Sequence, residues 1–120
     1  MTNHIALGKT GEDVAVRYLE EKGYLILERN WRLGRQEIDI IAREGNFIVI
    51  AEVKTRRSKG CAEPGTSVNT YKQRVLVHAA NAWMNYRRQQ GEVRFDIITI
   101  LIRDDQIDID HITDAFSAML

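Results

Sequence analysis

Gln36-Glu37-Ile38-Asp39-Ile40-Ile41-Ala42 and the stretch from Phe47 to Thr55, Phe-Ile-Val-Ile-Ala-Glu-Val-Lys-Thr, decide how this chain folds. The first alternates. Glu37, Asp39 and Ile41 share one face, and Ile38, Ile40 and Ala42 share the other, as in a β-strand. The second runs apolar and β-branched until Glu52 and Lys54, which lie two residues apart and therefore on one face. Glu44-Gly45-Asn46 hinges the two strands.

The parity of that hinge decides whether the two acids meet, because cross-strand partners share a face. An even loop centred on Glu44-Gly45 sets Arg43 opposite Asn46, Asp39 opposite Ile50 and Glu37 opposite Glu52. Asp39 and Glu52 are then diagonal neighbours with backbones roughly 7 Å apart. An odd loop separates them unless a bulge corrects it. Two carboxylates that can share a hard cation, with an ammonium beside them at Lys54, are what metal-assisted phosphodiester cleavage requires. Without a cation, Glu37, Asp39 and Glu52 crowd like charges. Spacing alone leaves a second reading open, a wet charged face neutralised by Lys54 and Arg56.

Outward from this hairpin, Thr10 to Lys22 predicts a first helix with Ala15, Val16 and Leu19 on one face and Gly23 at its end. Glu12 lies on that apolar face at helical spacing; it is either a helix N-terminal charge or an acid with a site role. Tyr24 to Leu27 predicts a strand running on to Trp31, with a turn at Arg32 to Arg35. Arg56 to Thr66 predicts a loop holding Lys59, Cys61 and Pro64. A second helix follows, with an apolar stripe of Tyr71, Val75, His78, Ala79, Ala82, Trp83 and Tyr86, closed by Gly91. Val93 to Ile102 is a β-branched strand, Asp104-Asp105 a turn, Gln106 to Ile112 a last strand, and Thr113 to Leu120 a short terminal helix. Ile48 to Ala51 and Ile97 to Ile102 suit central strands covered on both faces. The expected architecture is α/β: a mixed sheet flanked by helices, in a single domain over residues 1–120.

At 120 residues, 44% hydrophobic and 28% charged, the chain suits one compact domain with a modest core. Formal net charge is zero, so any pull on a polyanion must come from distribution. Arg29, Arg32, Arg35, Arg43, Lys54, Arg56, Arg57, Lys59, Lys72 and Arg74 surround the acids. From Asp96 onward, six aspartates face Arg103 alone. Such asymmetry orients a polyanion, or is an ordinary mixed surface. Cys61 is the only cysteine, which excludes a disulfide and a thiolate metal cluster within the chain and suits a reducing cytoplasm. His4, His78 and His111 lack metal-ligand spacing, and His78 falls on the apolar stripe. No apolar stretch reaches membrane-span length. Lys72, Gln73 and Arg74 open the second helix, where phosphate contacts or a solvated first turn are both open. Arg94 and Asp96 share a strand face and read as a structural ion pair.

Gly11-Glu12-Asp13-Val14-Ala15, the run from Gly23 to Arg32, Gln36 to Ala42, Glu52-Val53-Lys54-Thr55-Arg56 and Arg94-Phe95-Asp96, taken together and in order, resemble the YraN family of bacterial proteins. That family is regarded as a group of predicted endonucleases in the PD-(D/E)xK, restriction-endonuclease-like superfamily, similar to archaeal Holliday junction resolvases. The resemblance implies an αβββαβ core. It also implies metal binding by Asp39 and Glu52, a catalytic lysine at Lys54 and an accompanying helix acid at Glu12. Gln36 departs from the family's usual glycine, and Ala51 from a bulkier apolar residue; neither removes a ligand.

Spacing and resemblance together lead us to expect a metal-dependent endonuclease acting on DNA, including branched DNA. Asp39, Glu52 and the Val53 carbonyl are expected to hold Mg²⁺, with Mn²⁺ as a substitute. Arg56, Arg57, Lys59, Lys72, Gln73 and Arg74 are expected to contact phosphates, and the protein to be a cytoplasmic monomer or weak homodimer. A non-catalytic nucleic-acid-binding module and a protein-interaction adaptor are the alternatives. Clustered acids that repel phosphate favour the enzyme.

Overall fold

A computed structural model describes residues 4–57 and 68–118. The elements are α1 (His4–Glu21), β1 (Leu25–Leu33), β2 (Gln36–Glu44), β3 (Phe47–Arg57), α2 (Thr70–Arg87), β4 (Glu92–Arg103) and β5 (Gln106–Phe116). The order αβββαβ is therefore present, with β5 added. The strands form one sheet in the order β1-β2-β3-β4-β5. Only β3 and β4 pair in parallel, because α2 carries the chain back across the sheet between them.

Three tight turns make the antiparallel pairs, each with a left-handed first residue: Gly34 at φ 61°, Gly45 at 57° and Asp104 at 45°. The hinge between β2 and β3 is Gly45-Asn46, since Glu44 pairs with Phe47. It is even, as expected, but sits one residue later than expected. The register moves by two, which keeps the parity along the ladder; the ladder ends at Ile40–Ala51, with Asp39 and Glu52 the next residue on each strand.

Strands β3 and β4 are central, and their apolar runs are covered on both faces. Beneath α2 lie Ile41, Ile48, Ile50, Phe95 and Ile97, packed on Leu76, Ala79, Ala80 and Trp83. Beneath α1 lie Ile40, Ala42, Val49, Ala51, Ile98 and Ile100, packed on Ala15 and Leu19. Gly23, at φ 92°, ends α1 as expected.

The expectations for α2 and for the C-terminus need correction. The buried stripe of α2 is Leu76, Ala79, Ala80 and Trp83, not the one drawn through Tyr71, His78 and Tyr86. Tyr71 and Tyr86 are 77% and 72% exposed, and His78 is exposed as well. Adjacent stripes on a helix share members, and the small Ala79-Ala80 pair lets the helix lie close to the sheet. The helix also ends before Gly91, at Arg88, which takes the left-handed cap conformation at φ 50°. Gly91 instead makes a close approach, at φ 127°, to the Asn46 carbonyl.

The second correction concerns the C-terminus: residues 113–116 continue β5 rather than starting a helix. Asp114 bulges the strand at φ 53°, and its N–H donates to Asp96 Oδ1 at 3.0 Å. Phe116 then stacks on Phe95 at 4.8 Å. Asp96, 1% exposed, also takes both ends of a guanidinium fork from Arg94 at 2.9 Å and faces His111 Nε2 at 2.7 Å. Arg94 extends the network to Glu44 and Tyr24. Burial pushes the Asp96 carboxyl up, but the bonds from His111, Arg94 and the Asp114 N–H outweigh it and hold the group below the usual carboxylate range. The Arg94–Asp96 pair is structural, as expected: it ties β4 to β5 and to the α1 side of the sheet.

Gly11 sets the approach of α1 to β3. A Cβ there would collide with Thr55 Oγ1. Gly11→Ala gains up to about 1 kcal/mol of helix propensity, but overpacking typically costs about 1–3 kcal/mol. Urea unfolding is expected to show a net destabilisation, and Thr55→Ala in the same chain to recover most of it. Equal losses in the single and double variants would contradict this contact.

Candidate active site

The ladder between β2 and β3 runs from Glu44–Phe47 to Ile40–Ala51. At the next position, the Asp39 carboxylate accepts the Val53 N–H at 2.8 Å. Ile38 joins the core under α2 while Ile40 joins the core under α1, so the alternation of β2 breaks at Asp39. Across from it on β1, Asn30 takes φ 53° between the pairs Arg29–Ile40 and Trp31–Ile38. Asparagine is one of the few non-glycine residues that accept this conformation.

That kink has a consequence for α1. The Asn30 amide donates to Glu12 Oε1 at 2.7 Å, and Arg29 reaches the same oxygen at 3.2 Å while pairing with Asp13 at 2.6 Å. Glu12 is thereby held by β1 on the apolar side of α1, close enough for its charge to act on Asp39. Asp39 is pushed up to about 7, chiefly by burial, then by the Glu52 charge; the Val53 N–H opposes this, and hydrogen bonding to Glu52 and the charge of Glu12 add to it. The structure thus brings together Glu12, Asp39 and Glu52. Lys54, half-buried, lies two residues beyond Glu52 and so on the same strand face.

The basic residues divide. Lys72 turns inward, with Nζ 3.8 Å from Glu52 Oε2. Gln73 is spent on the backbone, its amide donating to the Val68 carbonyl at 2.7 Å. Arg56, Arg57 and Arg74 are exposed and make no ion pair with the described residues. Lys59 lies outside the described residues, as do Cys61 and Pro64. Sequence reasoning missed Asn30 and Arg29 as the residues that hold Glu12. The available signal was Asn30 itself, a poor strand former in an otherwise strand-like run.

Hard oxygen donors of this kind suit Mg²⁺. Asp39 and Glu52 offer two carboxylates. In an extended strand, a residue's N–H and C=O point to the same edge, so the Val53 carbonyl faces the same gap as its N–H. Among the described residues no three acidic, histidine or cysteine side chains already form a cage for a metal ion. Mg²⁺ does not need one: it keeps several waters and is commonly held by one or two carboxylates together with substrate phosphates.

A family profile described as "Uncharacterised protein family UPF0102" matches residues 11–100, a stretch that contains Glu12, Asp39, Glu52 and Lys54. The chain belongs to this family. A UPF0102 protein of Bacteroides thetaiotaomicron is 48% identical over 116 residues, covering 97% of this chain and 96% of that one. UPF0102 proteins of Flavobacterium johnsoniae and Rhodococcus opacus are each 44% identical, covering 97% of this chain and 98% and 100% of theirs. The crystal structure of SSO0001 is similar at a TM-score of 0.39 and 19% identity, covering 95% of this chain and 54% of that one. In the described part of this family member, no helix is long and apolar enough to cross a membrane.

Asp39 holds its proton more tightly in the fold than in the unfolded chain, where its value is near 3.8. Its contribution to stability is therefore full below about pH 4 and is lost as pH rises through about 7. A tenfold change in proton affinity is worth about 1.4 kcal/mol. Asp39→Asn, which still accepts the Val53 N–H, is expected to stabilise the metal-free protein on the order of 1–3 kcal/mol at pH 8 and not at pH 4. Thermal melts across pH check this; a variant less stable at pH 8 would show that the Asp39 charge is well accommodated.

Proposed function

We propose that this chain is a Mg²⁺-dependent endonuclease that hydrolyses DNA phosphodiester bonds. One observation supports the reading above the others: Asp39 and Glu52 are the next residues beyond the last rung, where their strands part, and the charges of Glu52 and Glu12 both act on Asp39. Crowded carboxylates weaken a fold that does nothing with them. Mixed pairing of Glu52 with Lys72 at 3.8 Å offsets only part of that cost.

In this reading Asp39, Glu52 and the Val53 carbonyl hold the cation, which when bound neutralises the carboxylates and supplies Lewis-acid stabilisation of the phosphoryl oxygens. Lys54 orients the attacking water by donating a hydrogen bond to its oxygen and offsets charge as it builds on phosphorus. The new P–O bond forms from that water as the bond to the leaving sugar oxygen breaks; the water gives up a proton and the leaving oxygen gains one. Glu12, fixed by Asn30 and Arg29, holds the acidic set in place. Arg56, Arg57 and Arg74 meet flanking phosphates. The protein acts in the cytoplasm as a monomer or weak homodimer that pairs on its DNA.

Asp39→Asn, Glu52→Gln and Lys54→Ala are each expected to lower cleavage of a plasmid or junction substrate at least about 100-fold in Mg²⁺, the scale of losing one transition-state contact, while circular dichroism stays native. Mg²⁺ is expected to raise the melting temperature of the wild type at pH 8 but not that of Asp39→Asn. Charge removal at Arg56, Arg57 or Arg74 should lower the salt slope of DNA binding by about one per lost phosphate contact. Wild-type cleavage rates in all three site variants would overturn the assignment.

A further inference from the structure

Three hydrogen bonds tie down the first turn of α2. Asn69 caps it, with Oδ1 accepting the Lys72 N–H at 2.8 Å, and its carbonyl accepts the Gln73 N–H at 2.9 Å. The Gln73 side chain reaches back to the Val68 carbonyl, and Val68 is buried in the core under α2. On this clamped turn, consecutive side chains diverge by about 100°. Lys72 turns in to Glu52. Tyr71, the residue before it, turns out and is 77% exposed.

A tyrosine ring standing in water on a rigid turn gives nothing to the core. Tyr86, the other strongly exposed tyrosine of α2, differs in having an aromatic neighbour, Trp31, at 6.5 Å. Tyr71 sits one residue from the side chain that touches the acidic site, and three from the exposed Arg74. A phosphate held between the carboxylates and the helix start would bring its own nucleotide, or the next, alongside this ring. Aromatic faces bind bases by stacking, and the ring held at low entropic cost is the effective one.

We propose that Tyr71 is a stacking platform for a nucleobase beside the scissile phosphate, and that the substrate is DNA with an unpaired base at that point: a flap, a gap, a single-stranded end or the crossover of a branch. Within a duplex, away from its two ends, both faces of every base are covered by their neighbours, so a ring approaching from outside has no face to meet. This deepens the nuclease reading and rests on it; Tyr71 is a specificity residue and takes no part in the chemistry.

The test measures binding and cleavage separately. In Ca²⁺, a hard cation that neutralises the carboxylates, fluorescence anisotropy reads the affinity for a labelled single-stranded oligonucleotide and for the same sequence as blunt duplex. Wild type is expected to prefer the single strand. Tyr71→Ala should weaken single-strand binding about tenfold, the scale of one base–aromatic stack, and so lower the ratio of the two affinities. Tyr71→Phe should stay within about twofold of wild type, and Tyr86→Ala should leave the ratio as it is. Loss of the same factor on both ligands, no loss on either, an equal effect from Tyr86→Ala, or no measurable single-strand binding by wild type would each overturn the proposal. Cleavage of flapped and blunt oligonucleotides in Mg²⁺ is scored apart. A Tyr71-dependent ratio without cleavage leaves the base platform standing and removes the nuclease reading; cleavage without such a ratio does the reverse.

Discussion

The hydrogen bond from the Val53 N–H to the Asp39 carboxylate is the constraint on which the site depends. Strands β2 and β3 cannot stay paired and also leave room between them. Where they part, a buried backbone donor loses its rung, and an unpaired buried N–H is costly. Asp39 supplies the missing acceptor. It does so at a cost to itself, since the same position removes it from water and sets it against Glu52. One side chain thus closes the main-chain ladder and opens a polar gap at its end.

Glu12 and Asn30 follow from that parting. The break in alternation at Asp39 is matched on β1 by the left-handed Asn30, whose amide then faces Glu12. For α1 to reach so far over the strands, its backbone must come close at Gly11, against Thr55. The three acids therefore come from three elements that are positioned by three different devices: a strand parting, a strand kink and a glycine at the closest approach of a helix. None of these contributes much to the core. The core is supplied by β3 and β4, whose Ile and Val runs are buried on both sides, and by the Asp96 network that fixes β5.

This division explains what the sequence reveals and what it hides. Periodicity reports apolar burial, so the two motif strands, the central β3 and β4 and the tight turns are legible, whereas the break in alternation at Asp39 is not. Parity survives an error of two in the register, because a two-residue slip keeps every side chain on its face. The α2 stripe is misjudged because Tyr and His count as apolar in a pattern yet stand in water as readily as in a core. The terminal residues read as a helix because nothing near them in sequence shows that Asp96, on another strand, will take the Asp114 N–H. Lys72 is likewise seen as a helix-start cation, and only the packing of α2 on the sheet turns it toward Glu52.

The fold also separates charge in a way that total charge conceals. Lys54 is level with Thr99 on β4 and Thr99 with Asp110 on β5, so the acidic edge begins about 10 Å from the lysine, two strand spacings across the sheet. At that separation, near one Debye length at physiological salt, the charges of Lys54 and Asp110 are partly screened from one another. In the proposed reading, a polyanion at the carboxylates would meet the acidic β5 on one side and, on the α2 side, the exposed Tyr71 and Arg74. The order of strands thus sets the acidic edge apart from Lys54, an asymmetry that a net charge of zero conceals.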